Sequence, residues 1–175
     1  MVEYVKIPKD RVGVLIGEEG ATKRVLENKC GIKLDITSDG SVTVASPEED
    51  GFKEWKALDV VKAIGRGFNP HYALNVLKED HILLIIDLYD VFKRKESDIQ
   101  RVKSRVIGEK GKAWRTIELL TNTKMSVYGR TIAIIGLGED VELAAKAIDL
   151  IIGGATHATV YRVLERERSG RKTGL

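Results

Sequence analysis

The sequence predicts an α+β protein that contains one β-α-α-β-β-α unit twice. The first observation is a repeated motif, because Leu15–Gly20 and Val106–Gly111 each place Gly-x-x-Gly after two aliphatic residues, at an offset of 91 (108 − 17). The second is that matching apolar positions continue well beyond both motifs, which is typical of a duplicated structural unit. The third is size, since 175 residues with 43% hydrophobic content suffice for two small cores.

The first unit has a segment for each element of that order. Alternating apolar residues at its start predict a strand, and helical spacing or strand-like alternation predicts the rest. The predicted elements are a strand through Val2, Tyr4 and Ile7, a short helix before the Gly-x-x-Gly turn, a helix at Ala21–Lys29, strands at Lys33–Thr37 and Ser41–Ala45, and a closing helix at Phe52–Ile64. Gly40 is expected to relieve a positive φ in the turn between the two later strands.

The second unit repeats the order with its own start signal for a helix. Ser97 and Gln100 have the spacing of a capping box, which predicts that Ser97 is an N-cap. The other predicted elements are a strand at Ile82–Leu88, a helix at Lys112–Leu120, strands at Lys124–Tyr128 and Thr131–Ile135 around Gly129-Arg130, and a helix at Val141–Ile152.

Further elements are predicted outside the two repeats. Asn69 as N-cap and Pro70 at the first helical position predict a linker helix over 70–77. We therefore expect one domain over 1–79 and another over 80–175. The second domain should end in a helix near Thr156–Arg166, followed by a basic tail, Ser169–Lys172, that frays.

The net charge of +3 conceals a difference between the halves. Residues 1–80 have 12 Lys and Arg against 14 Asp and Glu, a net charge of −2, whereas residues 81–175 have 17 against 12, a net charge of +5. Within Lys93–Arg115 the acidic residues are Glu96, Asp98 and Glu109, and the basic residues are Lys93, Arg94, Lys95, Arg101, Lys103, Arg105, Lys110, Lys112 and Arg115. Such a segment indicates either a polyanion-binding surface or a solvated helical face.

A Gly-x-x-Gly turn between two helices is suited to binding phosphate. Without Cβ atoms the backbone can approach an anion closely, and the amides at the start of the following helix attract it. In a β-α-α-β-β-α unit this turn resembles that of the KH fold, where it clamps four single-stranded nucleotides. The resemblance implies two tandem type I KH domains, each a three-stranded antiparallel sheet with helices packed on one face.

The two turns differ in charge. The first, Gly17-Glu18-Glu19-Gly20, is acidic, whereas the second, Gly108-Glu109-Lys110-Gly111, carries a lysine and is followed by Lys112. A carboxylate about 4 Å from a phosphate costs on the order of 1 kcal/mol in water. We therefore expect the second domain to bind RNA, and the first turn to be degenerate and to bind RNA weakly or to bind protein.

The candidate RNA-binding residues lie around the second turn. They are Arg101, Lys103, Ser104, Arg105, Ile107, Gly108, Glu109, Lys110, Gly111, Lys112, Arg115 and Lys124. Ile107, Met125 and Val127 are expected either to form an apolar platform for bases or simply to pack in the core. Trp114 could stack on a base, although a half-buried position is favoured.

Three stretches resemble the archaeal Dim-two family, also called partner-of-Nob-one. They are Val60–Phe68, Ser104–Lys112 and Ile148–Gly154. The resemblance implies a ribosome-assembly factor that binds the 3′ end region of small-subunit (16S) ribosomal RNA or its precursor. It also implies work with the Nob endonuclease and the Dim-one methyltransferase, and a link to the α subunit of translation initiation factor two.

Other function classes are less compatible with the sequence. The three histidines are scattered, Gly108–Lys112 is too short for a P-loop, and Gly136-Leu137-Gly138 lacks the third glycine of a dinucleotide fingerprint. No enzyme activity, metal or cofactor is therefore expected. Two alternatives remain: a protein–protein scaffold built from KH folds, and a Krr-type tandem-KH factor for another ribosomal RNA site.

Compositional features predict the location of the protein. The longest aliphatic run, Ile82–Ile86, is too short to cross a bilayer, and Met1–Tyr4 does not begin a secretory signal. One cysteine, Cys30, excludes an internal disulfide. A cytoplasmic protein without a membrane partner is expected.

Overall fold

The computed structural model describes residues 2–47 and 51–173. The chain forms two compact units, residues 1–79 and 80–175, and each is considered by itself. Each has a three-stranded antiparallel sheet with its helices on one face, in the strand orders β1-β3-β2 and β4-β6-β5. The predicted fold class of two tandem type I KH domains is confirmed.

In residues 2–47 and 51–79, the first unit contains three strands and four helices. Their bounds are β1 Val2–Lys6, α1 Lys9–Ile16, α2 Ala21–Cys30, β2 Lys33–Ile36, β3 Ser41–Ala45, α3 Gly51–Gly65 and α4 Pro70–Ala73. The central strand β3 pairs on both sides, so that Val42 lies opposite Val5 and Ile36. Alternation along β3 places Val42 and Val44 in the core, where both are fully buried.

The second unit contains three strands and five helices within the described residues. Their bounds are β4 His81–Asp87, α5 Leu88–Phe92, α6 Glu96–Ile107, α7 Lys112–Thr121, β5 Lys124–Tyr128, β6 Thr131–Leu137, α8 Gly138–Ile152 and α9 His157–Thr173. The core joins one face of the sheet to α6, α7, α8 and α9 through residues such as Ile134, Val106, Ile117, Ile148 and Leu164.

The linker helix begins as predicted. The Asn69 side chain accepts a hydrogen bond of 2.9 Å from the His71 amide, and Pro70 occupies the first helical position of α4. A 3-10 turn, Leu74–Leu77, continues it. The buried Lys56 of α3 donates to the carbonyl oxygen of Val76 at 3.0 Å, which ties the end of this segment to the first unit.

The predicted capping box is wrong. Helix α6 begins at Glu96, so Ser97 lies inside its first turn, and Lys95 is an N-cap without a side-chain hydrogen bond. Gln100 Nε2 instead donates to Glu96 Oε1 at 2.9 Å. The reason is the short α5, which is absent from the first unit and delivers the chain to α6 through two left-handed residues, Lys93 (φ 47°) and Arg94 (φ 64°).

The predicted fraying of the tail is also wrong for the described residues. Helix α9 continues through Thr173 because Arg171 is held at the start of α8, where it donates to Asp140 Oδ1 at 3.0 Å and to the Glu139 carbonyl oxygen at 2.8 Å. Lys146 of α8 forms a second ion pair with Glu167. These contacts dock the basic tail along α8.

An arginine anchors the first long helix of each unit to the end of the closing helix. In the first unit Arg11 Nε donates to the Ile64 carbonyl oxygen at 2.8 Å, and Nη2 donates to that of Phe68 at 2.9 Å. In the second, Arg105 donates to the carbonyl oxygens of Ile151, at 3.1 Å, and Ala155. His157 Nε2 returns a 2.7 Å hydrogen bond to the Arg105 carbonyl oxygen, so α9 begins beside the end of α6.

Replacing Arg105 by Gln should therefore destabilise the second unit, because two partly buried carbonyls lose a charged donor. We expect a loss of about 1–3 kcal/mol in the free energy of unfolding. The measurement is urea unfolding followed by Trp114 fluorescence in a Trp55→Phe background. The control is Arg101→Gln, whose exposed ion pair with Asp98 should contribute less than about 1 kcal/mol. Equal small losses would show that the Arg105 anchor does not hold the α8–α9 junction.

Candidate nucleic-acid interface

The two Gly-x-x-Gly turns have the same backbone conformation. The first glycines, Gly17 and Gly108, have φ/ψ of 76°/174° and 73°/177°. The third residues, Glu19 and Lys110, are both left-handed at 51°/28° and 50°/30°. The turn that was expected to be degenerate is therefore intact in its backbone, and the two turns differ in side chains alone.

The first glycine of each turn is required by space as well as by φ. A Cβ on Gly17 would lie 2.3 Å from Thr22 Oγ1, and one on Gly108 would lie 2.6 Å from Ala113 Cβ. The helix that follows thus starts against the bare backbone of the turn. Each turn keeps one shape because no other residue type fits at this position.

The turn uses two of its own amides internally. Gly108 N donates to the Ser104 carbonyl oxygen at 2.9 Å, and Gly111 N donates to that of Gly108 at 3.2 Å. The amides of Gly108 and Gly111 are therefore occupied within the protein. The amides of Glu109 and Lys110 belong to neither bond, so these two are the donors that the turn can offer to an anion.

An arginine on the following helix braces the turn in both units. Arg115 Nη2 donates to the Lys110 carbonyl oxygen at 2.7 Å, and Arg24 Nη1 donates to the Glu19 carbonyl oxygen at 2.7 Å. Both arginines are exposed, and each satisfies the carbonyl of the left-handed residue. The bond fixes the peptide plane beyond that residue while leaving the guanidinium at the surface of the turn.

Charge separates the two sites. Glu18 and Glu19 are both exposed in the first turn, and Ala21 begins its helix. Lys110 replaces the second glutamate in the other turn, and Lys112 begins its helix. At the N-terminus of α7, the helix dipole and two cations would thus act together on an anion placed there.

Helix α6 separates the predicted basic residues into different groups. Ile99, Val102 and Val106 face the core. At 3.6 residues per turn, Lys103 and Ile107 then lie on one flank, Arg101 and Arg105 lie on the opposite flank, and Ser104 points outward. Lys93–Lys95 precede a helix of 12 residues, about 18 Å from the turn. The predicted basic residues therefore do not all converge on it.

A glutamate joins α7 to the edge strand of the sheet. Glu118 Oε1 accepts from the Met125 amide at 2.9 Å and from Trp114 Nε1 at 2.7 Å. Glu27 of the first unit accepts from the Leu34 amide at 2.8 Å in the same way. The bond fixes the distance between helix and strand, and it gives Trp114 its half-buried position beside that junction.

Because of this packing, fewer residues of the predicted apolar platform can contact a base. Met125 is 3% exposed and belongs to the core, and Val127 packs against the same core. Ile107 is half-buried directly before the turn, so it is the member of the trio nearest to the turn in the chain. Lys124 alternates to the sheet face opposite Met125 and follows a ten-residue helix, about 15 Å from the turn.

The sequence did not predict the arginine bond to the turn or the glutamate bond to the edge strand, although the residues that form them recur in the repeat. Arg24 and Arg115, and likewise Glu27 and Glu118, are identical residues at the offset of 91. Most positions of the repeat match only as apolar residues. These two polar positions are identical in both units, and this identity was the signal that they have a structural role. Their roles could not be read from the sequence, because each bonds to backbone that only the fold brings near.

Three further features of the described part of the chain concern metal binding, thiol reactivity and membrane insertion. Within residues 2–47 and 51–173, no group of three or more His, Cys, Asp or Glu side chains is arranged to hold a metal ion. Burial raises the pKa of the Cys30 thiol to about 11, so it is protonated at neutral pH. None of the helices in these residues is long and apolar enough to span a membrane.

Comparisons with known sequences match both units. Residues 82–169 match the eukaryotic-type KH-domain (KH-domain type I) family, and residues 2–54 match the KH domain family. A KH domain-containing protein of Methanocaldococcus jannaschii is 47% identical over 95% of this chain and 74% of its own length. RNA-binding protein pno1 of Dictyostelium discoideum is 34% identical over 63% of this chain, which spans about half (48%) of that relative.

Solved structures agree with the sequence matches. Dim2p from Pyrococcus horikoshii is 44% identical, with a TM-score of 0.89 over 95% of this chain and 99% of that one. The chain matched in the a/eIF2alpha–aDim2p–rRNA complex of that organism is also 44% identical, with a TM-score of 0.90 over 97% and 94% of the two chains. This chain therefore belongs to the PNO1/Dim2 family of tandem KH-domain proteins.

Proposed function

We propose that this chain binds single-stranded RNA at the Gly108–Gly111 turn, and that its ligand is the 3′ end region of small-subunit (16S) ribosomal RNA during ribosome maturation. The observation that carries the proposal is the contrast between two turns with the same backbone, of which the first contains two glutamates and the second a glutamate and a lysine, followed by Lys112. Family membership supports it, as does the rRNA bound in the complex of the 44% identical structure.

The geometry suggests how the turn holds a phosphate. The amides of Glu109 and Lys110 donate to a phosphate oxygen, and the start of α7 adds its dipole. Lys110 and Lys112 supply the charge, while Lys103 and Ile107 flank the path of the strand along α6. Gly108 and Gly111 act through shape, Arg115 acts by bracing Lys110, and Arg105 acts by anchoring α6 rather than by contacting phosphate.

The first domain, residues 1–79, has a different role in this proposal. Its turn offers the same two amides, but Glu18 and Glu19 repel a phosphate placed there. A basic protein surface is better matched to it, which favours a secondary role for this turn in protein binding. RNA binding then belongs mainly to the second domain, residues 80–175.

The partners follow from the family. We propose the Nob endonuclease and the Dim-one methyltransferase as neighbours at the same ribosomal RNA end, and the α subunit of translation initiation factor two as a direct partner. The last is supported by the complex of the P. horikoshii relative with a/eIF2alpha. In this proposal the chain acts in the cytoplasm, binds RNA without catalysing a reaction, and needs no cofactor.

Exchanging the third residue between the turns tests the proposal. Lys110→Glu gives the second turn the charges of the first, and we expect affinity for RNA to fall on the order of 10- to 100-fold, since two charge units change about 4 Å from a phosphate. Glu19→Lys should leave that affinity unchanged or raise it. Fluorescence anisotropy with 3′-terminal small-subunit rRNA oligonucleotides measures both.

Both exchanges keep the left-handed backbone of the position, because neither creates nor removes a glycine. A control for folding is the unchanged circular dichroism of the two variants. If Lys110→Glu bound RNA as tightly as the unchanged protein, the second turn would not be the binding site.

The salt dependence separates RNA binding from the scaffold alternative. If Lys103, Lys110 and Lys112 each neutralise one phosphate, log K should fall against log salt with a slope of about −2, from roughly 0.7 per contact on single strands. The measurement is a titration of a short oligonucleotide at several salt concentrations. A slope near zero would show that these lysines do not neutralise phosphates, and the scaffold alternative would then be favoured.

A further inference from the structure

A second basic surface lies outside the turn, on α7 and α9. It comprises the exposed residues Lys112 and Arg115 of α7 and Arg162, Arg166, Arg168 and Lys172 of α9, here called the α7–α9 basic surface. Glu165 is the exposed acidic residue of α9 among them. Within the described residues, none of the four α9 cations forms an ion pair, although Arg166 interacts electrostatically with Glu167 of the same helix. Most of their charge is therefore available to a ligand.

The fold makes this surface continuous with the turn. Helix α9 starts beside the end of α6, because His157 is bonded to the Arg105 carbonyl oxygen, three residues before Gly108. At its other end, Arg168 and Lys172 line a pocket together with Leu120 and Asn122, where α7 ends, and with Glu139 and Asp140 at the start of α8. Helices α7 and α9 thus run side by side in the same direction, away from the turn.

The surface is long enough for several phosphates. Arg162 and Lys172 are ten residues apart on one helix, which is about 15 Å along its axis. Arg162 and Arg166 are one helical turn apart, so they present two charges on neighbouring turns. At 3.6 residues per turn, Arg162 and Arg166 lie on one flank of α9 and Arg168 and Lys172 lie on another, so these cations form two pairs rather than one row. A strand leaving the second turn would pass Lys112 before it reached either pair.

Its composition favours nucleic acid over protein. Helices α7 and α9 expose six cations in this surface, and Leu119 of α7, which is 74% exposed, is a large apolar side chain on the same pair of helices. A protein interface would require a buried apolar centre, whereas phosphate binding requires mainly clustered cations. The neighbouring α8 exposes Glu139, Glu142 and Asp149 instead, which gives the basic surface an acidic border.

We propose that the α7–α9 basic surface is a second RNA-backbone site, which holds the nucleotides that leave the Gly108–Gly111 turn on one side. This inference rests on the proposed RNA binding at the turn. If the inference is correct, a longer RNA binds with higher affinity than a short one. The gain in affinity occurs when the RNA is extended at one end and not when it is extended at the other.

The test compares RNAs of different length with the full chain. The core RNA is the shortest 3′-terminal small-subunit rRNA oligonucleotide that shifts the turn amides, about four nucleotides. Two further RNAs extend it by about eight nucleotides, one on the 5′ side and one on the 3′ side. We expect one extension to raise affinity on the order of tenfold at low salt, and the other to have little effect.

The variant Arg162→Gln/Arg166→Gln/Arg168→Gln should abolish that gain. Its affinity for the core RNA should stay within about twofold, and the salt slope for the favoured long RNA should shrink by about 2, from three lost contacts at about 0.7 each. The matched control, Lys9→Gln/Lys29→Gln/Lys33→Gln, removes three exposed charges from the first unit and should leave the gain intact.

The outcomes distinguish this inference from the proposed function. If no RNA bound the unchanged protein, the proposed function itself would fail. If the core bound but neither extension improved affinity, or if both triple variants reduced the gain equally, the α7–α9 site would be refuted while binding at the turn stood. Equal loss for core and long RNA in the α9 variant would also refute a separate site.

Discussion

The structure around each candidate site depends on a left-handed glycine at the end of one helix, packed against the start of the next. At Gly108 a φ of 73° reverses the chain, and the missing Cβ leaves room for Ala113 at a distance no side chain would allow. The reversal directs the amides of Glu109 and Lys110 away from the helices. Arg115 then holds the peptide plane beyond Lys110, so the donors are ordered before any ligand arrives.

Because this constraint is steric, it does not depend on the charge of the side chains in the turn. The first turn satisfies it with Gly17, Thr22 and Arg24 and reaches the same backbone angles, although its two central side chains are acidic. A duplicated unit can thus keep its shape while its two turns diverge in ligand preference. The first unit preserves the geometry of an anion site and opposes an anion with Glu18 and Glu19.

The second unit extends the same design with elements that the first lacks. Arg105 and His157 join the end of α6 to the α8–α9 junction, and Arg171 fixes the far end of α9 to the start of α8. These bonds hold α9 parallel to α7, with its cations outward and the acidic face of α8 beside it. Part of the positive charge of the second half therefore lies on α7 and α9, whereas Lys93–Lys95 and Lys124 lie farther from the turn.

The sequence by itself determined the repeat, the order of the elements that the two units share, the Asn69 cap and the contrast between the turns, because these follow from local periodicity and from residue chemistry at fixed spacing. It did not predict α5. It misplaced the start of α6 and the end of α9. There, the insertion of α5 and an ion pair 31 residues apart in sequence override local preference.

Tertiary structure alone decided which predicted residues meet at the site. It directed Arg105 to backbone carbonyls, put Met125 in the core, separated Lys124 from the turn, and brought α9 beside α7. The physical reason is that a side chain's partner depends on which flank of a helix it occupies and on what packs there. Those neighbours come from distant segments, so their identity is a property of the fold.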